Sequence, residues 1–199
     1  MENKVFGTAI LAAGFSERFY GKKLETKLGD KLLLQWIIDT VSALLVNKAV
    51  LIGSVSFSNV IFDLKKMDVI INEKPEEGIS RSVFMALNWA MCNKIKGLFI
   101  VMGDMPFIKP EDFKILIKKS KEYPDHILSC SYKKTKGFPT LIPEQYFHLM
   151  KDLEGDTGFS KIMKKHRLPH MLVERTWRNV FDIDTQNDIQ KAKEMLRYV

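Results

Sequence analysis

The chain has 199 residues, 46% of them hydrophobic and 28% charged, and its net charge of +7 comes from an excess of lysines, 25 against 6 arginines. That length suits one domain, residues 1–199, with a real core rather than two domains, and no apolar run reaches the ~20 residues of a membrane helix. The lysine excess suits an anionic small molecule, but the runs at Lys118, Lys119 and Lys121 and at Lys133, Lys134 and Lys136 lack interleaved aromatics, read as solvated surface, and form no nucleic-acid-binding motif. Residues 5–13 form the first apolar run. It is broken by Gly7 and followed by a Lys-rich loop, so it reads as a buried strand rather than a signal peptide, which places the protein in the cytoplasm, away from membranes.

Helical spacing of Leu32, Leu33, Trp36, Ile37, Val41, Leu44 and Leu45 predicts a first helix. Residues 49–53 and Asp68–Asn72 read as strands. A helix follows over 80–93, with Val83, Leu87 and Met91 on one face, and then the continuous apolar strand Gly97–Met102. Pro110 opens the next helix, with Glu111 and Asp112 in its first turn. Ile127–Tyr132 reads as a strand, and 144–152 and 158–166 as short helices. Thr185 caps a last helix in a capping-box pattern with Asp188; Ile189, Ala192, Met195, Leu196 and Val199 form its buried stripe. Strands apolar on both faces, separated by helices, predict one α/β domain with a mostly parallel sheet and helices on both faces. In such sheets ligands sit beyond the carboxyl ends of the strands.

Three loops lie at that edge. The first reads AAGFSERFYGKKLETK, with Arg18, Lys22, Lys23 and Lys27 around glycines; glycine lets backbone N–H groups approach an anion closely. Its spacing is neither a Walker A loop nor G-x-G-x-x-G. The second is Met102-Gly103-Asp104-Met105-Pro106, where a buried strand ends in a carboxylate able to hold Mg²⁺. Far along the chain, Phe181-Asp182-Ile183-Asp184-Thr185 reads as another acidic strand end, with Asp182 and Asp184 on one side. The histidines His126, His148, His166 and His170 lie outside these loops, and Cys92 and Cys130 read as small buried or half-buried thiols.

Taken together, LAAGFSER, Lys23 five residues after Arg18, Leu28-Gly29 and the helix opening at Leu32-Leu33 resemble the signature of the MobA/MocA-type nucleotidyltransferases. The resemblance implies a Rossmann-like, three-layer fold of the nucleotide-diphospho-sugar transferase type. It also implies transfer of NMP from an NTP to a phosphate-bearing acceptor. It makes Leu11, Ala12, Ala13 and Gly14 the backbone lining of the nucleotide pocket and gives the triphosphate to Arg18 and Lys23. GDMP and DIDT match the family's metal pair, which makes Asp104 and Asp184 Mg²⁺ ligands with Asp182 as a helper. Residues 71–87, INEKPEEGISRSVFMAL, resemble the stretch that contacts base and ribose, implicating Asn72, Gly78, Ser80 and Ser82; Ser80 also reads as a helix N-cap. Gly137 and Pro139 match a Gly-His-Pro turn, and Gly155 and Asp156 a G-D-x-G loop, both near the acceptor.

Ala-Ala-Gly at 12–14 and the GFP loop are closer to the MocA branch, which transfers CMP from CTP to molybdopterin for molybdenum hydroxylases; such an enzyme would be a transient partner. The sequence departs from the family at Phe19, Tyr20, Ile79, Val83, Ala86 and Phe138. A phosphate-monoester acceptor, with its second pKa of about 6, is already an anionic nucleophile at neutral pH, so no general base is needed and none is evident. GTP as donor, a sugar- or alditol-phosphate as acceptor, and a nucleotide-binding regulator without turnover are the alternatives.

Overall fold

Residues 6–11 carry no charged side chain, and the strand they form lies inside the sheet, between two parallel neighbours. The computed structural model describes residues 5–14, 19, 22–44, 48–54, 62–152 and 159–198. In chain order the elements begin with β1 (Phe6–Leu11), β2 (Lys27–Leu28), β3 (Lys31–Leu32), α1 (Leu33–Ser42), β4 (Lys48–Ser54) and β5 (Asp68–Asn72). Next come α2 (Ile79–Cys92), β6 (Gly97–Met102), α3 (Pro110–Glu122), β7 (Ile127–Tyr132) and β8 (Thr135–Pro143). After a 3₁₀ stretch, Glu144–Asp152, the chain forms α4 (Phe159–Lys165), β9 (His170–Glu174) and α5 (Gln186–Met195).

Seven strands form one sheet in the order β5-β4-β1-β6-β8-β7-β9, and β2 and β3 form a separate small hairpin. Pairing is parallel except where β8 meets β6 and β7. Alternation along the strands divides the core. Ile10, Phe99, Val101 and Leu128 face a layer built by α1, α3 and α5. Ala9, Leu11, Leu98 and Ile100 face the other, built by α2 and α4. This is the expected three-layer α/β arrangement, and no helix among the described residues is long and apolar enough to cross a membrane.

Two strands of the seven-stranded sheet, β8 and β9, were not expected, nor was the β2–β3 hairpin. β8 follows β7 through a two-residue turn in which Lys133 and Lys134 both have positive φ (49° and 66°), as the tightest hairpins require. β9 is an edge strand beside β7 with most of its residues exposed. The GFP stretch expected as a turn therefore lies within β8, where the register slips between Ser129 and Ser131. The stretch expected as a helix over 144–152 is 3₁₀. Pro110 opens α3, with the Asp112 carboxylate accepting the Lys109 N–H at 3.0 Å. Thr185 caps α5 through a reciprocal pair with Asp188. Cys130 is buried and Cys92 exposed. Leu45 and Val199 lie outside the described residues.

Candidate active site

The site is assembled where β1 and β6 end. The Gly103 N–H donates to the Leu11 carbonyl at 2.9 Å, and a Cβ on Gly103 would lie 3.2 Å from that same oxygen. Glycine thus lets the two strand ends close against each other. One residue on, the Asp104 carbonyl accepts the Ile183 N–H at 3.1 Å. That bond brings residues 181–184 to the strand ends, but as an irregular segment rather than the expected strand. The Asp188 carboxylate of the α5 cap also accepts from the Asp184 N–H at 3.3 Å, which fixes Asp184 at the end of its loop.

Lys23 enters from the short 3₁₀ turn Lys23–Glu25, held to the core by the buried Leu24. Its Nζ lies 2.8 Å from Asp104 Oδ2 and 3.2 Å from Asp184 Oδ1. Burial alone would lower the lysine pKa, but Asp104 first and Asp184 second hold it above the ordinary value. Burial, then the charges of Asp104 and Asp184, raise the Asp182 carboxyl; this residue stands beside the pair. Among the described residues no three His, Cys, Asp or Glu side chains gather as a metal-binding group. The protein therefore offers a carboxylate pair. Asp104 Oδ1 is buried without a hydrogen-bond partner. Two carboxylates around one cation, with an oxygen to spare, form a donor set that suits a hard divalent ion whose other positions go to water or phosphate.

Leu11, Ala12 and Ala13 are buried, whereas Gly14 is exposed and a Cβ added there would meet nothing within 4 Å. Asn72 is fully buried at the end of β5 and its amide is already engaged. Its Nδ2 donates to Ser82 Oγ at 3.1 Å, and its Oδ1 accepts from the Lys74 N–H and Arg81 Nε. Asn72 and Ser82 therefore shape the loop before α2. Gly78 has φ 84° and ψ −178°, a region essentially closed to other residues. It, and not Ser80, is the N-cap of α2; Ser80 is the second helical residue and nearly buried.

Gly137 is packed for a different reason. A Cβ there would fall 1.9 Å from the Asn179 carbonyl oxygen, and Asn179 Nδ2 donates to the Phe138 carbonyl at 2.9 Å. Pro139 is buried in β8, after a cis peptide bond. Arg18, Tyr20, Gly155 and Asp156 lie outside the described residues. Lys22 is exposed and pairs with Glu25, and Lys27 is exposed, as surface lysines should be. His126 and His166 pair with Asp125 and Asp152 away from the carboxylates. Lys136 was grouped with the surface lysines but lines a cavity beside the strand ends. Strand alternation puts it on the face of Phe138, Thr140 and Ile142, the signal that would have found it.

A family model described as the MobA-like NTP transferase domain matches residues 8–171. A probable molybdenum cofactor guanylyltransferase from Pyrococcus furiosus is 25% identical over 200 residues, covering 95% of this chain and 97% of its own length. The bifunctional protein GlmU of Buchnera aphidicola is 27% identical over 137 residues, 67% of this chain; the match spans only 29% of GlmU. Among solved structures, a homologue of Mycobacterium tuberculosis Rv0371c from Mycobacterium sp. strain JC1 superposes with a TM-score of 0.85 at 21% identity, covering 98% of this chain and 99% of that one.

Proposed function

From the premise that the chain belongs to the MobA-like NTP transferase family, and so is a nucleotidyltransferase, we propose that it transfers CMP from CTP to a phosphate-bearing acceptor, molybdopterin, releasing pyrophosphate. The observation that carries the reaction class is the Lys23 ammonium held between Asp104 and Asp184 at the carboxyl edge of the sheet. Catalysis of this kind needs positioning and charge neutralisation more than proton transfer. Lys23 and the Gly14 backbone N–H meet the charge that develops on the leaving pyrophosphate, and Arg18 is assigned the same role. The open space over Gly14 lets the triphosphate lie against the backbone. Ala12 and Ala13 wall the nucleotide, and the tight Gly78 turn presents the start of α2 to base and ribose. The acceptor phosphate arrives already ionised.

Asp104 and Asp184 would hold Mg²⁺, which supplies Lewis-acid neutralisation of phosphate charge when bound. Until then Lys23 prevents two carboxylates from facing each other unscreened.

CTP is favoured by the Ala12-Ala13-Gly14 sequence. GTP is the second reading, favoured by the full-length likeness to the Pyrococcus protein. Thermal melts with each NTP, with and without Mg²⁺, test both. A ligand at about 100 times its Kd stabilises by ~2.7 kcal/mol. Mg²⁺-dependent stabilisation selective for CTP supports the first reading, and selectivity for GTP replaces it with the second. No response to any NTP overturns nucleotidyl transfer.

A further inference from the structure

A solvent-open cavity lies at the same edge of the sheet, on the face covered by α2 and α4. Leu11 and Met102 line it from the strand ends, Ile79 and Val83 from α2, and Phe138 and Phe159 from β8 and α4. Leu11 directly precedes Ala12, and Met102 is two residues before Asp104, so the cavity opens beside the proposed transfer site. Among the described residues, the polar side chains that line it are Lys136, Thr140 and Ser160.

Lys136 is the unusual member. Its Nζ donates to Ser160 Oγ at 2.8 Å, and among the described residues no carboxylate pairs with it. An ammonium has three donors, so two remain for a ligand. Burial also lowers its pKa, the mark of a cation short of counter-charge. Thr140 is fixed from behind: its Oγ1 lies 2.9 Å from Ser129 Oγ, which lies 3.0 Å from His170 Nε2. Among the described residues, the polar end of the cavity is thus cationic and backed by a chain of hydroxyls, while its walls are apolar.

We propose that this cavity receives the acceptor, with Lys136 binding the acceptor's phosphate and the apolar walls taking the face of a flat ring rather than a polyhydroxylated chain. The inference rests on the nucleotidyl-transfer reading and narrows its substrate class. A sugar or alditol body would place several hydroxyls against side chains that cannot partner them. A ring gains from burial against Phe138 and Phe159.

Phenyl phosphate and glycerol 3-phosphate serve as probes, titrated calorimetrically into the full chain and its Lys136→Gln and Lys136→Arg variants. Unliganded melts confirm folding, and melts with NTP and Mg²⁺ read the donor site. The expected result is that phenyl phosphate binds more tightly than glycerol 3-phosphate. Its affinity falls roughly tenfold to a hundredfold in Lys136→Gln and mostly returns in Lys136→Arg, with the NTP response equal in all three. Undiminished binding to Lys136→Gln, a preference for glycerol 3-phosphate, or binding of neither probe overturns the proposal while leaving nucleotidyl transfer standing. So does loss of the NTP response in Lys136→Gln alone, which would assign the cavity to the donor. Loss of that response in the wild type counts against nucleotidyl transfer itself.

Discussion

Lys23 Nζ and Asp104 Oδ2 lie 2.8 Å apart although 81 residues separate them in the chain. Both side chains are largely shielded, at 12% and 14% exposure, so the contact is stronger than a surface ion pair. Asp104→Asn removes the more shielded carboxylate and should lower turnover roughly 10²–10³-fold. Lys23→Met leaves Asp104 and Asp184 facing each other, so its melting temperature should drop and millimolar Mg²⁺ should restore part of it. The folded pKa of Lys23 is raised. The ion pair's contribution is therefore fully present below the unfolded lysine value of about 10.4 and is lost as pH rises through the folded value. The gap between wild type and Lys23→Met should stay constant through neutral pH and close only in strong alkali. Full turnover in Asp104→Asn would sink the assignment.

Two glycines predicted for the site separate cleanly by substitution. Gly137→Ala forces a Cβ against the Asn179 backbone, which no rotamer change relieves. A cost of about 3 kcal/mol is expected, or roughly 6–12 °C in Tm for a chain of this size. Gly14→Ala meets open space and should change stability by less than about 0.5 kcal/mol. Its effect belongs to NTP affinity, because the methyl group occupies the approach to the backbone. Calorimetric unfolding and NTP titration of the two variants read both quantities, and unchanged NTP affinity in Gly14→Ala would remove that backbone from the phosphate site.

The contrast shows which features the sequence made legible. β6 and the start of α3 were plain because composition and capping agree there: an unbroken apolar run, then Pro110 with Asp112 in the first turn. Lys23, Asp104 and Asp184 could be picked from a motif, although only the fold shows that one ammonium spans both carboxylates. β8 was hidden because Gly137 and Pro139 read as a turn. The strand accommodates them in a register slip, where Pro139 needs no ladder N–H. Its hairpin turn uses Lys133 and Lys134 at positive φ, without the Asn-Gly signal that marks such turns. β9 was hidden by its edge position, which leaves too little apolar alternation to see. With β8 unread, Lys136 stayed in a run of surface lysines.

A buried ion pair ties the far end of the sheet to α3. Arg175, just after β9, donates through Nε to Asp112 Oδ1 at 2.9 Å, and the Asp112 side chain is 4% exposed. Among the described residues, Arg175→Met leaves that carboxylate with the Lys109 N–H alone. The expected destabilisation is about 2–3 kcal/mol, and Asp112→Asn in the same chain should recover part of it because the charge is then gone. Denaturant titrations of both variants decide this; a double variant no more stable than Arg175→Met would mean that the arginine acts through packing alone.

His170 gives the acid side a readable limb. Burial first and the charge of Lys136 second lower its pKa from the usual 6.5. The folded protein therefore binds a proton on this imidazole less readily than the unfolded chain does. The unfolded state binds more protons in that window, so stability falls as pH drops below about 6.5. Against a His170→Gln variant, the wild type should lose melting temperature progressively from pH 7 to pH 5. Lys136→Gln should shrink that loss, since one of the two causes is removed and the Ser129–Thr140 chain behind the cavity keeps its hydroxyls. Parallel melting curves for wild type and His170→Gln across this range would show that the ring titrates freely, and that the charge of Lys136 does not reach it.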